Sequence, residues 1–284
     1  MKEAMTRGGK GRKVTAGWLL AGAALAGVIA VIAAVLWSSE PQRRTPPRSP
    51  VPGVTQAPTP ETESLALSVS DNGRYLVDAS GDPFFWLADT AWSMPLALTR
   101  EEVTRYLDTR ARQGYTVIQT VAVFPHAGGP GPNRYGDSPY QGELTKLAVT
   151  EGANPNDPQE YDYWAPLDYI IAEAHARGLR VALFPAWSDN QVGSLLRKDN
   201  AADYGAFLGE RYGDQVIWVL GGDEHTKGYE DIWRELARGI AVGATGREDY
   251  STTLMSYHPL GDDSSVRYFH DDEWLDLNMI QGGH

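Results

Sequence analysis

Apolar positions along this chain follow two periods, and the periods alternate. Residues 116–124 (TVIQTVAVF) are a near-continuous apolar run of strand length. Before them Val103, Tyr106, Leu107 and Ala111 recur at three- and four-residue spacing, the stripe of a helix. Thr99 followed by Glu102 predicts a capping box at its start, and Gly114 predicts its end. The unit then repeats. Leu167, Ile170, Ile171 and Ala174 stripe a helix ending at Gly178, ahead of a strand at 180–187 (RVALFPAW). Asn200 is the expected cap of a helix carrying Tyr204, Phe207 and Leu208 and stopped by Gly213, ahead of a strand at 215–220 (QVIWVL). Ile232, Leu236 and Ile240 stripe a helix that Gly243 is expected to end. Runs at 253–258 (TLMSYH) and 275–281 (LDLNMIQ) predict two more strands. Upstream, 74–77 and 84–87 flank a turn-rich stretch at 78–83 and predict a short β-hairpin, whose second run continues to Trp92.

Apolar strands alternating with amphipathic helices predict an α/β fold in which helices cover a parallel sheet. No glycine-rich phosphate loop follows any strand, which disfavours a nucleotide-binding, doubly wound sheet. Polar and aromatic residues instead sit just past the ends of most strands: Asp89 and Trp92, Pro125 and His126, Trp187 and Asp189, Asp223, His258, and Gln281 with His284. Function spread over many strand ends is the habit of a (β/α)8 barrel of TIM type. Six units are counted where a closed barrel needs eight, so the expectation is an incomplete barrel truncated at its C-terminal side.

The first 60 residues read differently. Residues 17–37 (GWLLAGAALAGVIAVIAAVLW) hold no charge and no Pro, and a helix of that length spans about 30 Å. Lys2, Arg7, Lys10, Arg12 and Lys13 precede it. The positive-inside rule then predicts a cytoplasmic tail at 1–16, a transmembrane helix at 17–37 and an extracellular body. A cleaved signal peptide and secretion are the rival expectation. Residues 38–65 are Pro-rich, with seven Pro between 41 and 60, and predict an extended linker leading to a domain at 66–284.

Charge and cysteine count narrow the chemistry. The formal net charge is -12, and residues 61–284 carry the whole acidic excess, so no basic surface is offered to a nucleic acid. With no Cys there is no disulfide scaffold, thiol nucleophile or iron–sulfur cluster. Six His show no His-Glu-x-x-His spacing, so neither a metal site nor any other cofactor is expected. Strand ends that carry carboxylates, Trp, His and amides suit glycoside hydrolysis, which needs two carboxyl groups flanking the scissile bond. Asp223 is the best candidate for the acid. It follows a strongly apolar strand, Gly221-Gly222 permits close approach, and partial desolvation there favours the protonated form. Glu224 is expected to point the other way. An N-cap or loop role remains the alternative for Asp223, and a capping or turn role for Asp89. Trp187 is read either as a platform for a sugar ring or as rim packing.

Several stretches in order resemble one family. Asp71-Asn72-Gly73-Arg74-Tyr75 leads into residues 83–92 (PFFWLADTAW); Gly114-Tyr115-Thr116-Val117-Ile118-Gln119, Ile217 to Asp223 (IWVLGGD), Tyr257-His258-Pro259 and residues 278–284 (NMIQGGH) follow. Together they resemble the apiosidase-like glycoside hydrolases, glycoside hydrolase family 140, long catalogued as a domain of unknown function. The resemblance runs from about residue 66 to residue 284. It implies a (β/α)8 barrel and a retaining glycosidase, with Asp223 as acid/base and a nucleophilic Glu on a later strand beyond His284. Characterised relatives cleave apiose from branched pectic polysaccharide. The residues expected to bind the polysaccharide or oligosaccharide substrate are Asp89, Trp92, Gln119, Trp187, His258, Gln281 and His284. The competing expectation is a non-catalytic, carbohydrate-binding or cell-wall-associated barrel.

Overall fold

The structure, a computed structural model, describes residues 65–124, 131–152, 154, 157, 159–188 and 191–282. The expected membrane helix, its basic tail and nearly all of the linker lie outside these residues, as do Pro125, His126, Asp189 and His284. Among the described residues no helix is long and apolar enough to cross a membrane.

A parallel sheet organises the described residues. Its strands are β3 (Ala88–Thr90), β4 (Val117–Val123), β5 (Arg180–Ala186), β6 (Ile217–Gly221) and β7 (Met255–His258), each paired with its successor in the chain. Leu277 makes an isolated parallel bridge to Ser256 of β7, where the next strand was expected. Helix α1 (Met94–Ala97) is a single turn. Helices α2 (Arg100–Arg112), α3 (Ala165–His175), α4 (Ala201–Tyr212) and α5 (Glu230–Thr245) lie between successive strands. Spatial order equal to chain order leaves no point where winding reverses, unlike a doubly wound sheet.

The two faces of the sheet have separate cores. Ile118, Val181, Leu183, Trp218, Leu220, Met255 and Tyr257 pack with Leu107, Leu167, Ile170, Leu208 and Leu236 of the helices. The residues between them on the strands, Val117, Val121, Ala182, Phe184, Ile217 and Val219, form a second cluster on the inner face. That alternation is the two-residue period of a strand, and both faces are apolar because both are covered.

Local signals explain most element ends. The capping box of α2 forms: the Thr99 hydroxyl accepts from the Glu102 N–H, and the Glu102 carboxylate accepts from the Thr99 N–H. Three expectations are corrected. Gly243 does not end α5, which runs on to Thr245 with Gly246 at its cap. Gly243 is instead a contact point, since a Cβ there would lie 2.0 Å from the Ala206 carbonyl of α4. Asn200 stands at the N-cap of α4 without capping it; its amide is spent on the Arg197 N–H and the Leu195 carbonyl. Third, residues 84–87 form no strand. The run 76–78 (β2, Leu76–Asp78) pairs mainly with β1 (Leu67–Val69), and only a Val77–Pro83 bridge survives of the expected hairpin. That bridge is closed by the Asp78 N–H on the Asp82 carbonyl and the Phe84 N–H on the Leu76 carbonyl, and the pairing goes no further.

After β7 the chain makes β8 (Asp263–Ser264), the one-turn α6 (Val266–Phe269) and β9 (Ile280–Gln281), with β8 and β9 antiparallel. The run at 275–281 is thus divided between the Leu277 bridge to β7 and the β9 ladder to β8.

Candidate active site

Asp223 lies just beyond the end of β6, and two glycines put it there. Gly221 and Gly222 have φ of 95° and 151°, values L side chains rarely adopt. Space forbids a side chain as well. A Cβ on Gly221 would sit 2.4 Å from the His258 carbonyl, and one on Gly222 would sit 2.6 Å from Ser188 Oγ. The chain therefore turns sharply between β7 and the end of β5, with the Gly222 N–H donating to the His258 carbonyl at 3.0 Å. Beyond that turn the Asp223 side chain is 43% exposed. Its Oδ1 accepts from Gln281 Nε2 at 2.8 Å and lies 3.9 Å from His258 Nδ1. The partial desolvation expected from the apolar strand thus ends one residue early, at buried Gly222.

His258 is largely buried, and burial pushes its pKa below the ordinary 6.5, with the Asp223 carboxylate partly opposing. Its Nδ1 lies 3.0 Å from the Pro259 carbonyl, which only accepts, so Nδ1 carries the proton of the neutral ring. Around it stand Trp92, Phe184 and Trp187. The Trp92 ring centre is 4.8 Å from both Phe184 and Trp187, and Trp187 is 5.4 Å from His258. Trp187 is only 6% exposed, so it builds a wall and offers no open platform for a sugar ring; Trp92 is half-buried and the more accessible of the two. A neutral imidazole and indole edges beside an exposed carboxyl are partners for sugar hydroxyls and sugar faces.

The apiosidase-like catalytic domain matches residues 70–284. The chain belongs to the apiosidase-like family of glycoside hydrolases. A glycoside hydrolase family 5 structure from Bacteroides vulgatus ATCC 8482 is 36% identical, with a TM-score of 0.64, over 77% of this chain and 45% of that one. A second structure, described as a glycoside hydrolase, is 35% identical with a TM-score of 0.64, over 77% of this chain and 46% of its own. The chain thus spans a little under half the length of these two relatives. No curated protein matches the sequence.

Within this apiosidase-like domain the remaining candidates separate. Asp89 does not join the others. In β3 it pairs with Ile118, so it shares the helix-facing side of the sheet. There it accepts from the Tyr106 hydroxyl at 2.5 Å and from Arg110 Nε, both on α2. Burial raises its pKa, but the bonds from Tyr106 and Arg110 outweigh that and hold the carboxyl below the ordinary range. Asp89, expected to bind substrate, here clamps a helix to a strand. Gln119 has the parity of Val117 and Val121 and faces inward.

Glu224 lines a cleft of about 430 Å³ with Ser188, Val192, Gly193, Ser194 and Tyr229, and Asp223 is not among the residues of that cleft. Ser188 and Phe184 are site residues that sequence reasoning missed. Phe184 has the parity of Ala182 on an inward face, a signal that was present in the run. Ser188 follows Trp187 with nothing to mark it, and its buried Oγ has no hydrogen-bond partner among the described residues. Among the described residues no group of three or more His, Asp or Glu could hold a metal ion.

Proposed function

We propose that the domain hydrolyses glycosidic bonds by a retaining, two-carboxylate mechanism with Asp223 as acid/base. The observation that carries this reading is the placement of Asp223: a carboxyl held by Gln281 beside neutral His258, whose ring centre lies 6.4 Å from that of half-buried Trp92, at a glycine turn that a side chain would obstruct. Asp223 gives its proton to the leaving glycosidic oxygen as the C–O bond breaks and the second carboxylate bonds to the anomeric carbon, forming a glycosyl–enzyme ester. It then deprotonates the water that releases the sugar. The second carboxylate is a Glu on a later strand, outside residues 1–284. The sheet is an arc of a (β/α)8 barrel, about six of whose eight units lie in this chain. That reading is supported by the single winding and by relatives more than twice as long as the matched segment.

The substrate is a plant or microbial polysaccharide, with an apiose-bearing branch as the family's suggestion. Residues 17–37 anchor the domain outside the plasma membrane; release by signal cleavage is the competing outcome. The test is a screen of the full-length protein and its Asp223→Asn variant against branched pectic and other polysaccharides. Sugar release by the parent alone supports the reading. Binding without release by either protein favours a non-catalytic, carbohydrate-binding barrel.

A further inference from the structure

Resting on that reading of Asp223, we propose that Gln281 is a positioning residue that fixes the Asp223 carboxyl and assigns the transferable proton to Oδ2. Gln281 was expected to bind substrate, but its amide nitrogen is committed to Asp223 Oδ1 at 2.8 Å. An amide N–H2 only donates, so Oδ1 remains an acceptor whether the carboxyl is ionised or protonated. The acidic proton therefore resides on Oδ2 and leaves from there to the glycosidic oxygen, which takes the electron pair of the breaking C–O bond. Oδ2 later accepts a proton from the attacking water, and the cycle closes. While the carboxyl is ionised, the amide turned the other way would set two oxygens face to face.

Both ends of this hydrogen bond hang from the end of one strand. Asp223 follows Gly222, whose N–H is bonded to the His258 carbonyl. Gln281 sits in β9, opposite Asp263 of β8. Buried Ser265 ties this ladder to β7: its hydroxyl donates to the Tyr257 carbonyl at 2.7 Å and accepts from the Met279 N–H at 2.8 Å. Asp262 donates its N–H to the Gln281 carbonyl at 3.0 Å while holding φ of 64°, the one positive φ at a non-glycine among the described residues. Strain of that kind persists where surrounding bonds over-determine the backbone, and here they fix the residue facing the acid.

The titratable groups near Asp223 are known. His258 is neutral above its depressed range. Glu224 and His225 lie on the same turn. Asp262 and Asp263 lie in the ladder, and the Asp263 carboxylate is bonded to Arg267 and Tyr268. Losing the Gln281 N–H removes the bond that fixes Oδ1, and a carboxylate in its place sets a like charge against Asp223.

The experiment compares Gln281→Ala and Gln281→Glu with the parent full-length protein, on a glycoside with a poor leaving group, across pH. The alkaline limb of kcat/KM should move up by about one pH unit in Gln281→Glu and by less in Gln281→Ala. kcat should fall about tenfold with KM within about twofold, and the loss should shrink on a substrate with a good leaving group. Gln281→Glu keeps the size of the side chain if the alanine variant folds poorly. A raised KM with an unmoved limb would show a substrate contact and overturn the proposal. Asp223→Asn, run in parallel, separates the two levels. If it retains turnover, the acid reading has failed; if it loses turnover while the Gln281 limb stays put, only the positioning role has failed.

Discussion

Asp89 and Asp223 occupy similar places in the topology, each where a parallel strand reaches its C-terminal end, yet different things set their directions. Asp89 is still inside the ladder of β3, and its register with Ile118 turns it toward α2, where Tyr106 and Arg110 neutralise it. Asp223 is past the ladder. Gly221 and Gly222 have broken the two-residue alternation before it, so its direction is set by the turn. A carboxyl at a strand end is thus structural or chemical according to whether strand register or a glycine turn sets its direction. The clamped one is held ionised by two donors, while the other keeps one oxygen clear of hydrogen bonds from the described residues.

The largest expected effect tests that contrast directly. Asp223→Asn in the full-length protein should lower turnover about 10²–10⁴-fold with its melting temperature unchanged. Asp89→Asn should leave turnover within about threefold. Equal losses in the two variants would erase the distinction. Gly222→Ala attacks the turn itself. A Cβ 2.6 Å from Ser188 Oγ, at a φ of 151°, should destabilise by about 2–5 kcal/mol in urea unfolding, from overpacking and backbone strain together. An alanine variant of parental stability would mean the turn is not what directs Asp223.

Asp89→Asn has its own, smaller signature in the same unfolding measurement. Weakening charge-assisted bonds to Tyr106 and Arg110 should cost about 1–3 kcal/mol. Arg110→Met should cost a similar amount, and the double variant less than the sum. Additive losses would show that the two residues act separately.

The smallest effect concerns pH. Burial lowers the His258 pKa in the folded chain, so near 6.5 the unfolded chain binds the proton more readily. Stability is then full above about 6.5 and falls as pH drops toward the lower folded value. His258→Gln should flatten this part of the stability–pH curve. If the parent curve is already flat between pH 7 and 5, His258 does not sit neutral against the Trp92–Trp187 wall.

Much of this fold was legible because its signals are local. Helix stripes, the Thr99–Glu102 capping box and the glycines at 114, 178 and 213 act within a few residues of chain. What failed was contact between elements. Gly243 reads as a helix stop, but it is a seam where α5 meets Ala206 of α4. Asn200 reads as a cap, but its amide serves the preceding loop. β8 and β9, at two residues each, are too short to leave a period.

The sequence by itself determined the alternation of strands and helices, the family, and the special character of Gly221-Gly222-Asp223, because period and glycine chemistry are written residue by residue. Only the tertiary structure decided which strand-end groups come together. Register with a neighbouring strand turned Asp89 outward, ring packing made Trp187 a wall, and a ladder from a different strand brought Gln281 onto Asp223. Those outcomes depend on partners 29 to 95 positions away in the chain, and a pattern read along one segment carries no record of them.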